Sequence, residues 1–212
     1  MAKWKDLYDA ILCGNLKMAV ETTKDLLNEG YDPQQIINEY MAAAMCEVGN
    51  RFEVGKAFIP ELLMAARAMK GALEILKPRM TSTGIVGANK VVIGTVKGDL
   101  HDVGKNLVAS MLEGNGFEVI NLGVDISADK FVDAVKEHQP QIVCLSALLT
   151  TTMDYMRTVI QALEDNGLRE QVKVMVGGAP LSESFARQIG ADGYSNNANA
   201  AVTLARSLTT IV

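Results

Sequence analysis

The sequence predicts an α/β protein: an N-terminal four-helix bundle cap, then a doubly wound sheet of five parallel strands. Three observations predict it. Residues 1 to about 80 carry apolar side chains at helical spacing throughout. From Lys90 onward, short β-rich runs alternate with helical stretches, as in a parallel sheet covered on both faces. Between the two textures lies Thr81-Ser82-Thr83-Gly84, which reads as a linker. The expected boundaries are 1–82 for the helical domain, 83–89 for the linker and 90–212 for the sheet domain.

In the first part, Leu16, Ala19, Val20, Thr23, Leu26 and Leu27 mark one helix, and Gly30 supplies its stop. Asp32-Pro33 opens the next as N-cap and first-turn proline, with Gln35 placed for a capping box. Ile36 to Val48 is apolar on a wide face, as in a helix packed on several neighbours. Gly49 to Gly55 is expected to interrupt it, and a further helix is expected from about Ile59 to Leu76, ending before Pro78.

In the second part the expected strands are Lys90–Thr95, Glu118–Asn121, Ile142–Ser146, Val172–Val176 and Gly193–Tyr194. The expected helices are Val103–Asn115, Ala128–Glu137, Met153–Asn166, Ser184–Ile189 and Asn197–Leu208. Five such units predict a flavodoxin-like sheet, whose ligands sit beyond the carboxyl ends of the strands. His101, Ser146 and Gly177-Gly178 all follow strands and so gather on that edge.

Composition narrows the function. Hydrophobic residues make up 49% of the 212, enough for a packed core. No apolar run approaches the roughly 20 residues that span a bilayer. The opening Met1-Ala2-Lys3-Trp4-Lys5-Asp6 is helix-like rather than a signal peptide. A cytoplasmic protein with no membrane partner is the expectation. The net charge of -5 counts against nucleic acid as a partner. Cys13, Cys46 and Cys144 fit neither a disulfide framework nor a cysteine metal site, and are expected to be reduced and mostly buried.

The chemistry concentrates in Gly98-Asp99-Leu100-His101-Asp102-Val103-Gly104-Lys105-Asn106, after the apolar run Val91-Val92-Ile93-Gly94. A metal-ligating imidazole usually gives its other N–H to a carboxylate, which fixes the tautomer. Asp99, two residues before His101, can serve that purpose. The simpler alternative is a loop histidine near an N-capping Asp102. Gly94, Gly98 and Gly104 favour the ligand reading, because glycine lets backbone approach a bulky group. Their spacing is not that of a dinucleotide fingerprint. Asp102 and Lys105 read as helix-start and surface residues.

The chain has two histidines, and His138 lies at a predicted helix end before Gln139-Pro140. With one usable histidine, a metal would have to arrive in a macrocycle, the protein adding an axial ligand. Haem satisfies that logic but usually calls for a more aromatic pocket. A second element follows the third strand, Ser146-Ala147-Leu148-Leu149-Thr150-Thr151-Thr152-Met153. Its hydroxyls can line a slot, or Thr151 or Thr152 can cap a helix. A third, Gly177-Gly178-Ala179-Pro180, leaves room or is an ordinary turn.

Together these elements resemble the cobalamin-binding module of methionine synthase: Asp-x-His-x-x-Gly, then Ser-x-Leu with following hydroxyls, then Gly-Gly. Val48-Gly49-Asn50-Arg51-Phe52-Glu53-Val54-Gly55-Lys56-Ala57-Phe58-Ile59-Pro60-Glu61-Leu62 is similar to the motif of the helical cap that precedes this module. Nearly the whole chain is covered. Its length resembles that of the stand-alone corrinoid proteins of anaerobic methyl transfer, in methanogenesis or acetogenesis, which serve methylamine, methanol, betaine and aryl methyl ether systems.

The resemblance implies a Rossmann-like cobalamin domain in which His101 is the lower axial cobalt ligand, displacing the cofactor's own base (base-off/His-on). Asp99 would hydrogen-bond His101. The third relay member, a serine in the family, is here Thr152, which keeps the hydroxyl and adds a methyl group. Gly98, Asp102, Gly104, Ser146, Leu148, Thr150, Gly177 and Gly178 would contact the cofactor, and Phe52 and Ile59 would shield the methyl group from above. The implied function is a methyl carrier, loaded on Co(I) by a substrate-specific methyltransferase and unloaded from methyl-Co(III) by a second one using tetrahydrofolate or coenzyme M. A reductive activator would rescue Co(II). Such a subunit is not catalytic alone.

Rivals are the small subunit of an adenosylcobalamin mutase, which shares the histidine motif but generally lacks the cap, and a cobalamin-based sensor or regulator, which would append a DNA-binding or signalling module. A flavodoxin or receiver domain is a third, against which the third strand ends in Ser146 and not in a phosphate-accepting Asp.

Overall fold

The computed structural model describes residues 3–80 and 89–209. These fall into two compact units: the residues up to 80 with Glu113–Gly116, and Asn89–Leu112 with the chain from Phe117 onward. The linker expected at 83–89 lies, but for Asn89, outside the described residues.

The first unit is helical. α1 (Lys3–Leu12) and α2 (Leu16–Asn28) are joined by a short turn. Gly30, at φ +88°, ends the second of these, and Tyr31 N–H donates to Leu26 O at 3.1 Å. Asp32 caps the short α3 (Pro33–Gln35) by accepting from Gln35 N–H at 3.0 Å. The Gln35 side chain turns forward to Glu39, so only half of the capping box forms. The rod continues as a π-helical segment, Ile36–Met41, in which Ala42 N–H donates five residues back to Ile37 O. It then becomes α4 (Ala42–Glu53). Gly49 is therefore inside a helix, not at a break: it is buried, and a small residue suits close packing there. The true turn spans Val54–Phe58, and Glu61 accepts from Phe58 N–H to start α5 (Ile59–Met80). The helix does not end before Pro78, which lies inside its last turn. Leu7, Ile11, Leu26, Met41, Leu62 and Met69 form the core. Gly71 leaves room for Leu16, whose side chain occupies the space a Cβ would need.

The second unit is a five-stranded, all-parallel sheet in the order β2-β1-β3-β4-β5. The strands are β1 (Lys90–Val96), β2 (Glu118–Ile126), β3 (Ile142–Ser146), β4 (Lys173–Gly177) and β5 (Gly193–Ser195). The helices between them are α6 (Val103–Gly114), α7 (Ala128–His138), α8 (Thr150–Met153), α9 (Tyr155–Asp165) and α10 (Glu183–Gln188), and α11 (Ala198–Thr209) follows β5. The doubly wound topology expected from the alternation is present. Val92, Phe131, Val143, Leu145, Val159 and Val174 belong to one continuous core.

The helix expected at Met153–Asn166 is two, α8 and α9, and among the strands β2 differs most in length. β2 does not stop at Asn121 but runs to Ile126, with register shifts against β1 at Gly94. Asn, Gly and Asp are poor strand formers, which hid this extension; pairing to a buried neighbour overrides that preference. Gly94 itself serves packing: a Cβ there would run into the Phe131 ring. The room that the glycine leaves is taken by Phe131 and not by a ligand, contrary to the expectation from the sequence.

Candidate functional site

In the strand order found, the chain leaves β1 toward β2 on one side and β3 toward β5 on the other. The crevice beyond the carboxyl ends of β1 and β3 is where such sheets bind ligands. His101 follows β1 there, and Leu148 and Leu149 follow β3.

Asp99 joins the two loops. It is fully buried and accepts five hydrogen bonds. Its Oδ1 takes the His101 backbone N–H at 3.0 Å and stands 2.7 Å from His101 Nδ1. Its Oδ2 takes the N–H groups of Leu148 (2.8 Å) and Leu149 (3.3 Å) and the Thr152 hydroxyl (2.8 Å). Burial alone would push the Asp99 carboxyl up. The hydrogen bonds from Leu148, His101 and Thr152 outweigh it and hold the group well below the usual carboxylate range. A charged acceptor is thus fixed against Nδ1, so that nitrogen carries the proton and Nε2 keeps its lone pair.

The His101 side chain is half exposed, and Nε2 has no hydrogen-bond partner among the described residues. Leu100 and Val103 beside it, and Leu148 and Leu149 across the crevice, are exposed apolar side chains. An imidazole with one lone pair presented, ringed by apolar surface, is suited to an apolar ligand carrying an electrophilic centre.

Gly98 takes φ +83°, which a side chain would strain, and a Cβ at Gly104 would meet nothing within 4 Å. Ser146 pairs with Gly177 at the ends of β3 and β4. At Gly178, φ +143°, a Cβ would run into the Ala147 carbonyl oxygen. Thr152 is buried against Asp99, with a second bond to Leu149 O at 3.1 Å, whereas Thr150 is exposed in the first turn of α8. Phe52 and Ile59 lie in the helical unit, at the end of α4 and the start of α5.

A family model described as a B12 binding domain matches residues 89–203, and a second B12 binding domain model matches residues 4–77. The chain is 43% identical over 204 residues to trimethylamine corrinoid protein 1 of Methanosarcina acetivorans, covering 94% of each. The chain belongs to the B12-binding corrinoid protein family. Two crystal structures are similar in fold and sequence. A cobalamin-binding protein from Desulfitobacterium hafniense superposes with a TM-score of 0.82 at 35% identity, covering 97% of this chain and 98% of that one. The methanol:cobalamin methyltransferase complex of Methanosarcina barkeri gives 0.80 at 28%, covering 99% and 81%.

The cofactor of this corrinoid protein is cobalamin or a related corrinoid, and the donor set fits it. No group of three or more His, Cys, Asp or Glu side chains able to hold a bare metal ion occurs among the described residues. A corrin brings its own four nitrogens and needs one axial donor, which His101 Nε2 can provide. No described helix is long and apolar enough to cross a membrane.

Three features of this corrinoid protein were not legible beforehand. Lys105 is not a surface residue: it is 4% exposed, and its Nζ donates to Asn106 Oδ1 (2.6 Å) and Asn121 Oδ1 (2.8 Å). Burial lowers its pKa, against the opposing charge of Asp102. Asp125, at the end of β2, accepts from Gly98 N–H at 2.7 Å. A polar residue four after the expected strand end at Asn121 was the only signal for it. Cys13 and Cys46 are exposed, and only Cys144 is buried, where desolvation pushes its thiol up to about 12. Cys13 lies in the turn after α1 and Cys46 on α4, in a small bundle with less interior to occupy than a central strand.

Proposed function

We propose that this chain is a methyl-carrying corrinoid protein of a methylamine-type methyltransferase system. The observation that carries the proposal is the Asp99–His101 contact: a buried, ionised carboxylate holding Nδ1 and leaving Nε2 presented on the binding edge. A corrinoid, when bound, supplies a cobalt centre that accepts a methyl group in its reduced state and later releases it.

The chain's own residues do the rest. His101 would hold the cofactor's cobalt through Nε2, in the base-off/His-on arrangement. Asp99 and Thr152 fix its ring and can follow its proton when the ligand is released. Gly98, Asp102, Gly104, Leu148 and Thr150 shape the seat on the β1 and β3 loops. Ser146, Gly177 and Gly178 line the path for the displaced nucleotide tail. The resemblance assigns 1–82 to the cap, 83–89 to the linker and 90–212 to the cofactor domain, and gives Phe52 and Ile59 the role of shielding the methyl group. A substrate-specific methyltransferase loads the carrier, a second one using tetrahydrofolate or coenzyme M unloads it, and a reductive activator restores it. The named trimethylamine relative supports an amine as donor, and the methyltransferase complex at lower identity supports a methyltransferase as partner.

The test is reconstitution with methylcobalamin and comparison of absorbance spectra for wild type and His101→Ala. The wild type is expected to show histidine ligation and the variant to lose it; identical spectra overturn the assignment. Methyl transfer from trimethylamine, dimethylamine, betaine and methanol, each with its methyltransferase, then identifies the donor.

A further inference from the structure

Asp125 adopts φ +56°, one of two described non-glycine residues with positive φ. Aspartate usually tolerates that conformation when its side chain bonds its own neighbourhood. Here the side chain reaches elsewhere. Its Oδ1 accepts from Gly98 N–H at 2.7 Å, and its own N–H donates to Asp99 O at 3.0 Å. One residue therefore grips two successive residues of the histidine loop, Gly98 and Asp99, with only Leu100 between them and His101.

The same end of β2 holds the loop's other side. Asn121 Oδ1 accepts from Gly123 N–H (3.1 Å) and from Lys105 Nζ (2.8 Å). Asn106 Oδ1 accepts from Lys105 Nζ (2.6 Å) and Asn121 Nδ2 (3.1 Å), and Asn106 Nδ2 donates to Asp102 Oδ2 (2.9 Å). Asp125 falls in the second register shift, between the pairs Gly94–Gly123 and Val96–Ile126, whereas Asn121 still pairs with Ile93 just before the first. Bulges commonly re-aim side chains beside functional sites.

We propose that Asp125 is a positioning residue for His101: its carboxylate, held out by the irregular end of β2, sets where the loop places the imidazole, and so how fully His101 ligates cobalt. This rests on the axial-ligand reading above. Asp99 fixes the ring's rotation and tautomer, whereas Asp125 fixes the backbone from which the ring projects.

Three variants of the full-length protein separate the carboxylate from the backbone conformation. Asp125→Gly removes the carboxylate without strain at positive φ, Asp125→Ala removes it with strain, and Asp125→Asn keeps the size and a neutral acceptor. Each is reconstituted with hydroxocobalamin, reduced to Co(II), and its histidine-ligated fraction read from the nitrogen splitting in the electron paramagnetic resonance spectrum. In parallel, hydrogen exchange of the Gly98 amide and the His101 ring shifts are read by NMR on the corrinoid-free protein. Asp125→Gly is expected to lower the ratio of ligated to unligated histidine about tenfold, the effect of losing one charge-assisted hydrogen bond. It is also expected to speed Gly98 exchange and keep a melting temperature near wild type, and Asp125→Asn should restore most of the ratio. An unchanged ratio in Asp125→Gly, or unchanged Gly98 exchange and His101 ring shifts, overturns the proposal. If Asp125→Ala does not fold, the other two variants decide. Failure of the axial-ligand reading shows separately, as wild-type protein lacking the nitrogen splitting; the NMR comparison then decides the positioning role alone.

Discussion

Asp99 and Thr152 are 53 positions apart in the chain and 2.8 Å apart in the fold, the Thr152 hydroxyl donating to the carboxylate oxygen that His101 does not use. That contact locks the β1 loop to the start of α8. It makes the Asp99 carboxylate the centre of the site, and its neighbours give the clearest tests.

Asp99→Asn puts an NH2 group among five donors, so at least one donor loses its acceptor. We expect a loss of about 2–4 kcal/mol in denaturant unfolding. The pH dependence has a definite sign. The folded-state pKa lies below the ordinary 3.8, so the stabilisation is present above that value and is lost as pH falls through the depressed one. Wild-type stability should therefore fall more steeply than that of Asp99→Asn on acidification from about pH 5. Equal slopes for the two proteins would count against a buried ionised Asp99.

Thr152 tests the hydroxyl against the methyl group. Thr152→Ser retains the donor and should stay within about 1 kcal/mol of wild type, the value of one buried methyl. Thr152→Val keeps the shape and drops the donor, and should cost about 1–3 kcal/mol. If valine proved as good as serine, the hydroxyl would have no part in holding Asp99. The measurement is equilibrium unfolding of both variants.

Gly178→Ala combines an unfavourable φ of +143° with a collision against the Ala147 carbonyl, and should cost about 2–4 kcal/mol. Gly167→Ala is the control: φ is +69° there, but a Cβ meets nothing within 4 Å, so about 1 kcal/mol is expected. Thermal or denaturant unfolding of the pair measures the collision by difference.

Thiol titration of the native protein should modify Cys13 and Cys46 rapidly and leave Cys144 unreacted until denaturant is added. The thiolate is the reacting form, and burial raises the Cys144 pKa to about 12. Peptide mapping after labelling identifies the sites. Rapid native labelling of Cys144 would mean that β3 opens readily.

The helical rods and parallel strands were legible because their signal is local. Val91-Val92-Ile93 and Ile142-Val143-Cys144-Leu145 are continuous apolar runs, as strands buried on both faces must be. Asp32 announces its helix by side chain and spacing alone. The histidine motif was equally local, since Asp99 and His101 are two residues apart. The end of β2 was not. Asn121, Gly123 and Asp125 read as a strand terminus, and only pairing with β1 reveals that the strand continues through them.

The sequence by itself determined the succession of elements and the histidine loop, because periodicity, capping and motif spacing are properties of neighbouring residues, and its motifs carried the resemblance to the family. Only the tertiary structure decided that Thr152 reaches Asp99, that Lys105 is buried between two asparagines, and that Asp125 supports Gly98. These contacts join residues on separate strands and helices. Their partners are set by strand order and register, which arise when the whole sheet buries its apolar faces at once.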